Sequence, residues 1–151
     1  MRPGLGRKLI GWLGAAAVVA VIAVVALGLP AYNERQRRDQ LNEAFRNLSD
    51  IQVWMDAYYA HHRAYARADV CGAAVVPADR AQYFTYSCAP DPKPGSPAGQ
   101  TYVATATGKA RHTNGFVFSI DEKKRRSTMA TPADWGPMPA AAKSIWLDRR
   151  G

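Results

Sequence analysis

Apolar residues along this chain follow two regimes. Residues 10–29, IGWLGAAAVVAVIAVVALGL, are twenty positions without an ionisable side chain. As a helix rising ~1.5 Å per residue they span roughly 30 Å, the thickness of a bilayer hydrocarbon core. From Asn33 to about Tyr65 the apolar positions thin into a stripe of Leu41, Phe45, Leu48, Met55 and Tyr59, widened by Ala44, Ile51 and Tyr58. That spacing predicts an amphipathic helix with Arg38, Asp39, Glu43, Arg46 and Asp50 on the remaining surface. No loop separates the two regimes, so Pro30 is expected to kink one long helix rather than stop it. The helix is expected to end near Arg63-Ala64-Tyr65, before a loop holding Cys71, Gly72 and Pro77.

Beyond that loop the period shortens to two. Residues 82–87 (QYFTYS) are rich in aromatic and β-branched side chains and predict a strand. Residues 89–99 carry Pro90, Pro92, Pro94 and Pro97 and predict a loop. Residues 101–106 (TYVATA) alternate and predict a second strand, and 115–120 (GFVFSI) a third after a turn at 108–114. A polar turn at 121–124 then allows 125–130 to return as a fourth. The expected fold class is α+β, a long N-terminal helix with a transmembrane apolar half, packed on a four-stranded antiparallel sheet. The expected division is 1–29 basic N-terminus and membrane half, 30–66 stalk helix, and 67–151 sheet head with a C-terminal tail.

Charge and cysteine usage place these parts. Arg2, Arg7 and Lys8 precede the apolar run, which puts the N-terminus in the cytoplasm and the head on the far side of an inner membrane. A signal peptide cut near Ala26-Leu27-Gly28 is the alternative, although the run exceeds the usual h-region and Pro30 follows closely. Two cysteines, Cys71 and Cys88, lie seventeen positions apart in the exported part. They read as a disulfide formed in an oxidising compartment, with two free buried thiols as the alternative.

Certain segments also carry a resemblance. LPAYNERQRRDQLNEAFRNLSDIQVWMDAYYAHHRAYA, then CGAA, YFTYSCA, TYVATATGKA, GFVFSIDEKKRRSTMA and PADW, in that order, resemble PilE-like minor pilins of type IV pili, over about Leu29 to Trp135. The resemblance implies a pilin-like ladle fold, a helix that packs in a filament core, a disulfide of the Cys71–Cys88 kind and a charged C-terminal edge. It also implies other pilins, the inner membrane and pilus or secretion assembly machinery as partners. The first thirty residues depart from the family. Counting back from Pro30, its glycine, phenylalanine and glutamate fall at Lys8, Leu9 and Leu13, and Gly4 and Gly6 offer only shifted cuts. No carboxylate precedes Glu34, so the buried charge pair that sets register in family filaments has no counterpart here. Near the C-terminus, Ser144-Ile145 precede Trp146 where a cysteine is common.

Little in the chain suggests chemistry. His61 and His62 are adjacent and diverge by ~100° on a helix, and His112 is remote in sequence. Nucleophile-elbow, P-loop and dinucleotide fingerprints are absent, and Ser87-Cys88 reads as one end of the structural bridge. The expectation is a non-enzymatic protein with no catalytic residue, cofactor or metal. Lys123, Lys124, Arg125 and Arg126 form a basic run that reads either as a solvated hairpin tip or as a patch for DNA phosphates, and Arg149-Arg150 add a second cluster. Trp54, Tyr58 and Tyr59 read as packing between helix and sheet. The expected function is a minor pilin or pilin-like protein assembling into or priming a pilus filament. The alternatives are a permanently anchored periplasmic relative, a type II secretion pseudopilin, and a DNA-binding component of an uptake pilus.

Overall fold

The structure, a computed structural model, describes residues 5–91 and 93–148, and for 5–21 and 24–27 it describes the backbone alone. Several expectations therefore fall outside the described set: Arg2 and Gly4, the side chains of Arg7 and Lys8, most side chains of the apolar run, Pro92, and the Arg149–Arg150 cluster. The chain divides into two compact units, Met1–Gln36 and Arg37–Gly151. Helix α1, Leu5–His62, begins in the first and ends in the second, with Pro30 inside it. In the first unit Ile22, Leu29 and Tyr32 are exposed, and Gln36 Nε2 donates to the Tyr32 hydroxyl at 3.2 Å. Among the described residues no helix is long and apolar enough to cross a membrane.

The second unit is α+β. Strands β1 (Ala66–Arg67) and β2 (Val70–Cys71) pair as a small hairpin. β3 (Phe84–Pro90), β4 (Tyr102–Gly108), β5 (Val117–Asp121) and β6 (Arg126–Ala130) form an antiparallel meander in sequential order. Registers Phe84↔Gly108, Ala104↔Ile120 and Ala106↔Phe118 align the even-numbered residues of β3, β4 and β5 on one face. That face meets the helix stripe. Leu41, Ala44, Leu48, Ile51 and Met55 are fully buried against a cluster containing Phe84, Tyr102, Ala104, Ala106, Phe118 and Ile120. Each large side chain so buried contributes about 1.5–3 kcal/mol, so the helix face is a structural part of the head.

The short tail closes the edge beside β6. Thr128, almost fully buried, donates its hydroxyl to Ile145 O at 2.9 Å and accepts from Leu147 N at 3.0 Å. Trp146 Nε1 donates to Ser119 O at 2.8 Å, and its ring stacks on Phe45 of α1 at 5.2 Å between centroids. Trp135, in a short 3-10 turn (Ala133–Trp135), sets its ring edge-on to Phe116, and Arg37 lies over it.

The structure corrects several expected boundaries. α1 ends at His62, because Arg63 takes a left-handed φ of 57° and its N–H closes on Tyr59 O at 2.8 Å. The expected loop after the helix contains the β1–β2 hairpin, turned at Ala68 with φ 53°. Gly72 leaves that hairpin so close to the Tyr58 ring that a Cβ there would collide with it. β3 starts at Phe84 rather than residue 82 and continues to Pro90, which sits where a strand end tolerates the missing N–H. The tail holds two 3-10 segments, Ala133–Trp135 and Ala140–Ser144, that periodicity did not signal.

Candidate functional site

Cys71 on β2 and Cys88 on β3 form a disulfide with Cα atoms 6.0 Å apart, so the free-thiol alternative is set aside. The bridge ties the hairpin after the helix to the edge strand of the sheet. With its ends seventeen positions apart in sequence, it removes about 3 kcal/mol of unfolded-chain entropy.

Glu43 is the largest departure from expectation. Assigned from its spacing to the solvent side, it is 7 % exposed, on the helix side that turns toward the start of β3. Its carboxylate accepts backbone N–H bonds from Gln82, Tyr83 and Phe84 at 3.1–3.2 Å and the Tyr86 hydroxyl at 3.3 Å. One turn on, buried Asn47 donates to Tyr86 Oη at 3.0 Å and to Arg80 O at 2.7 Å. The bonds explain the late start of β3: the amides of residues 82 and 83 serve the carboxylate instead of the ladder. Burial raises the Tyr86 phenol well above its ordinary range, with bonding to Glu43 adding to the rise and the Asn47 bond opposing it. The sequence did carry a signal, since Glu43 and Asn47 sit one turn apart beside buried Ala44 and Leu48. Asp50, also assigned to the surface, is partly buried and pairs with Arg80, whose guanidinium lies over the Trp54 ring.

The basic run at 123–126 forms the β5–β6 turn. Asp121 organises it, accepting from Lys123 N at 2.9 Å and Arg125 N at 3.0 Å through Oδ1, and from the Arg125 side chain through Oδ2. Burial pushes the Asp121 carboxyl up, but the Arg125 side chain, the two backbone N–H bonds and the Arg125 charge outweigh it and hold it below the ordinary aspartate range. Lys124, at a left-handed φ of 62°, is 3.7 Å from Asp56, and Arg126 lies over the Trp146 ring at 4.6 Å. Lys93, from the proline-rich loop, contacts Glu122 at 2.7 Å and lies within 4 Å of Asp91 and Asp121. Carboxylates are thus interleaved through the turn, and three of its four cations already have a partner within the chain.

His61 is exposed, and His62 stacks on Tyr58 at 4.0 Å. Among the described residues no group of three or more His, Cys, Asp or Glu is placed to hold a metal. Trp54 packs against the core, whereas Tyr58 lies beside His62 and Tyr59 stacks on Tyr65. An open groove of about 760 Å³ remains between α1 and the tail, lined by Phe45, Arg46, Arg126, Ile145, Trp146 and Asp148 among others. Set against known proteins, the chain matches no family model, no curated protein and no solved structure.

Proposed function

We propose that the chain is a pilin-like structural protein, held in an inner membrane by the apolar part of its helix and contributing to a type IV pilus filament as a minor subunit. The observation that carries this reading is the single helix Leu5–His62: its early part holds the uncharged run 10–29, and its late part supplies the core face of the head. The sequential β3–β4–β5–β6 meander and the Cys71–Cys88 bridge support it. In this account the apolar segment first contacts lipid and then exchanges those contacts for the helices of other subunits, driven by close packing. The head is presented outward. The N-terminus is cytoplasmic and the head periplasmic.

A second reading is favoured by one specific observation, the lack of any carboxylate before Glu34. It makes the chain a permanently anchored pilin-like partner of pilus or secretion machinery, with the same head. The mass of the N-terminal peptide from membrane-extracted protein separates the two. A terminus cut shortly before the apolar run and N-methylated supports filament entry, whereas an intact or Met-trimmed terminus supports the permanent anchor. The DNA-uptake reading draws on Lys123–Arg126 alone, and the carboxylates around that turn favour a hairpin tip.

A further inference from the structure

The groove between α1 and the tail is built by three separated parts of the chain. α1 supplies Phe45 and Arg46, β6 supplies Arg126, and the tail supplies Ile145 and Trp146. Its tail wall is fixed by the Thr128 and Trp146 hydrogen bonds, so the concavity does not depend on a free loop. Among the described residues, neither Arg46 nor Arg126 meets a carboxylate within ion-pair distance, and both are exposed. Asp148 is the one acid in the groove's lining. The groove therefore holds two exposed guanidinium groups that form no ion pair among the described residues, Arg126 also lying over the Trp146 ring.

We propose that this groove docks an acidic segment of another protein, a carboxylate flanked by an apolar side chain. Planar guanidinium groups suit carboxylates through paired N–H donors. Ile145, 44 % exposed at the rim, offers apolar contact to the neighbouring residue. A nucleic-acid strand fits less well. Phe45 stacks on Trp146 and Arg126 lies over the same ring, so the groove's indole is already occupied and offers little to a base. A second copy fits less well too, because a chain of net charge +8 repels itself. The proposal does not rest on the filament reading, since every groove residue belongs to the Arg37–Gly151 unit.

The test uses the full chain in nonionic detergent and fluorescence anisotropy of a labelled peptide of alternating Leu and Glu. The same peptide with Gln for Glu, and a short single-stranded oligonucleotide, are the comparison probes. The Glu peptide binds and the Gln peptide binds at least about tenfold more weakly; Arg46→Gln and Arg126→Gln each weaken the Glu peptide by about tenfold. Lys123→Gln with Arg67→Gln, which removes two charges outside the groove against one in each groove variant, leaves binding unchanged. Because Arg126 also covers Trp146, Arg126→Lys keeps the charge without the paired donors and binds more tightly than Arg126→Gln but more weakly than the parent. Equal binding of the Glu and Gln peptides, an equal loss in the Lys123/Arg67 control pair, or no loss in the Arg46→Gln variant overturns the proposal. So does tighter binding of the oligonucleotide that disappears with the two groove arginines.

Discussion

Replacing Glu43 by glutamine tests whether a buried carboxylate joins helix to sheet. The substitution keeps size and shape but leaves one acceptor oxygen where two received three backbone N–H groups and a phenol. The new amide also turns N–H donors toward amides that need acceptors. Hydrogen bonds to a charged group contribute ~1.5–3 kcal/mol each, and a buried donor left unpaired costs ~1–3 kcal/mol. Glutamine loses one or two such bonds but escapes the desolvation of a carboxylate, which offsets part of the loss. The expected net destabilisation is about 2–3 kcal/mol, against under ~0.5 kcal/mol for exposed Asp79→Asn. Reversible urea unfolding of the full chain in detergent, followed by tryptophan fluorescence, measures both. A double-mutant cycle with Tyr86→Phe should return a coupling of ~0.5 kcal/mol or more. If Glu43→Gln costs no more than Asp79→Asn, or couples to Tyr86 by nothing measurable, the junction does not hold the helix and the reasoning fails.

Three further outcomes follow from the same packing. Cys71→Ser with Cys88→Ser should cost about 3 kcal/mol in the same unfolding assay, and a reducing agent should destabilise the parent by a like amount while leaving the variant unchanged. Phe118→Ala, which removes a fully buried ring touching Phe45, Phe84 and Phe116, should cost ~3–5 kcal/mol; a loss under ~1 kcal/mol would place the core elsewhere. Asp121 titrates below the ordinary aspartate range in the folded chain, so its contribution is complete above the unfolded-chain value and disappears as pH falls through the lower folded value. Stability measured down the acid range should therefore fall less steeply in Asp121→Asn than in the parent, and equal slopes would contradict the turn's ionic anchoring.

The elements that repeat a simple period were legible in the sequence. Of the expected stripe, Leu41, Ala44, Leu48, Ile51 and Met55 are fully buried while Phe45, Tyr58 and Tyr59 are half-buried, and the four segments expected as strands became four strands in chain order. Features set by tertiary partners were not legible. Glu43 sits at the margin of the stripe, and only the amides of residues 82–84, some forty positions away, make its burial affordable. The β1–β2 hairpin has two-residue strands, too short for any period to register. The groove depends on Trp146 returning to Phe45 across a hundred residues, a pairing that no local pattern encodes. Lys123–Arg126 looked like one patch because sequence shows the cations together, while the carboxylate of Asp56 arrives from the helix.

The central claim is that helix and head belong to a filament subunit carried by the membrane. Shearing filaments from the surface of cells that make the protein, and probing filament and membrane fractions with an antibody to the head, tests it most directly. The account predicts the chain in both fractions, with the filament share disappearing when filament assembly is blocked. A chain found in membranes alone, while other pilins shear off with the filaments, would contradict it.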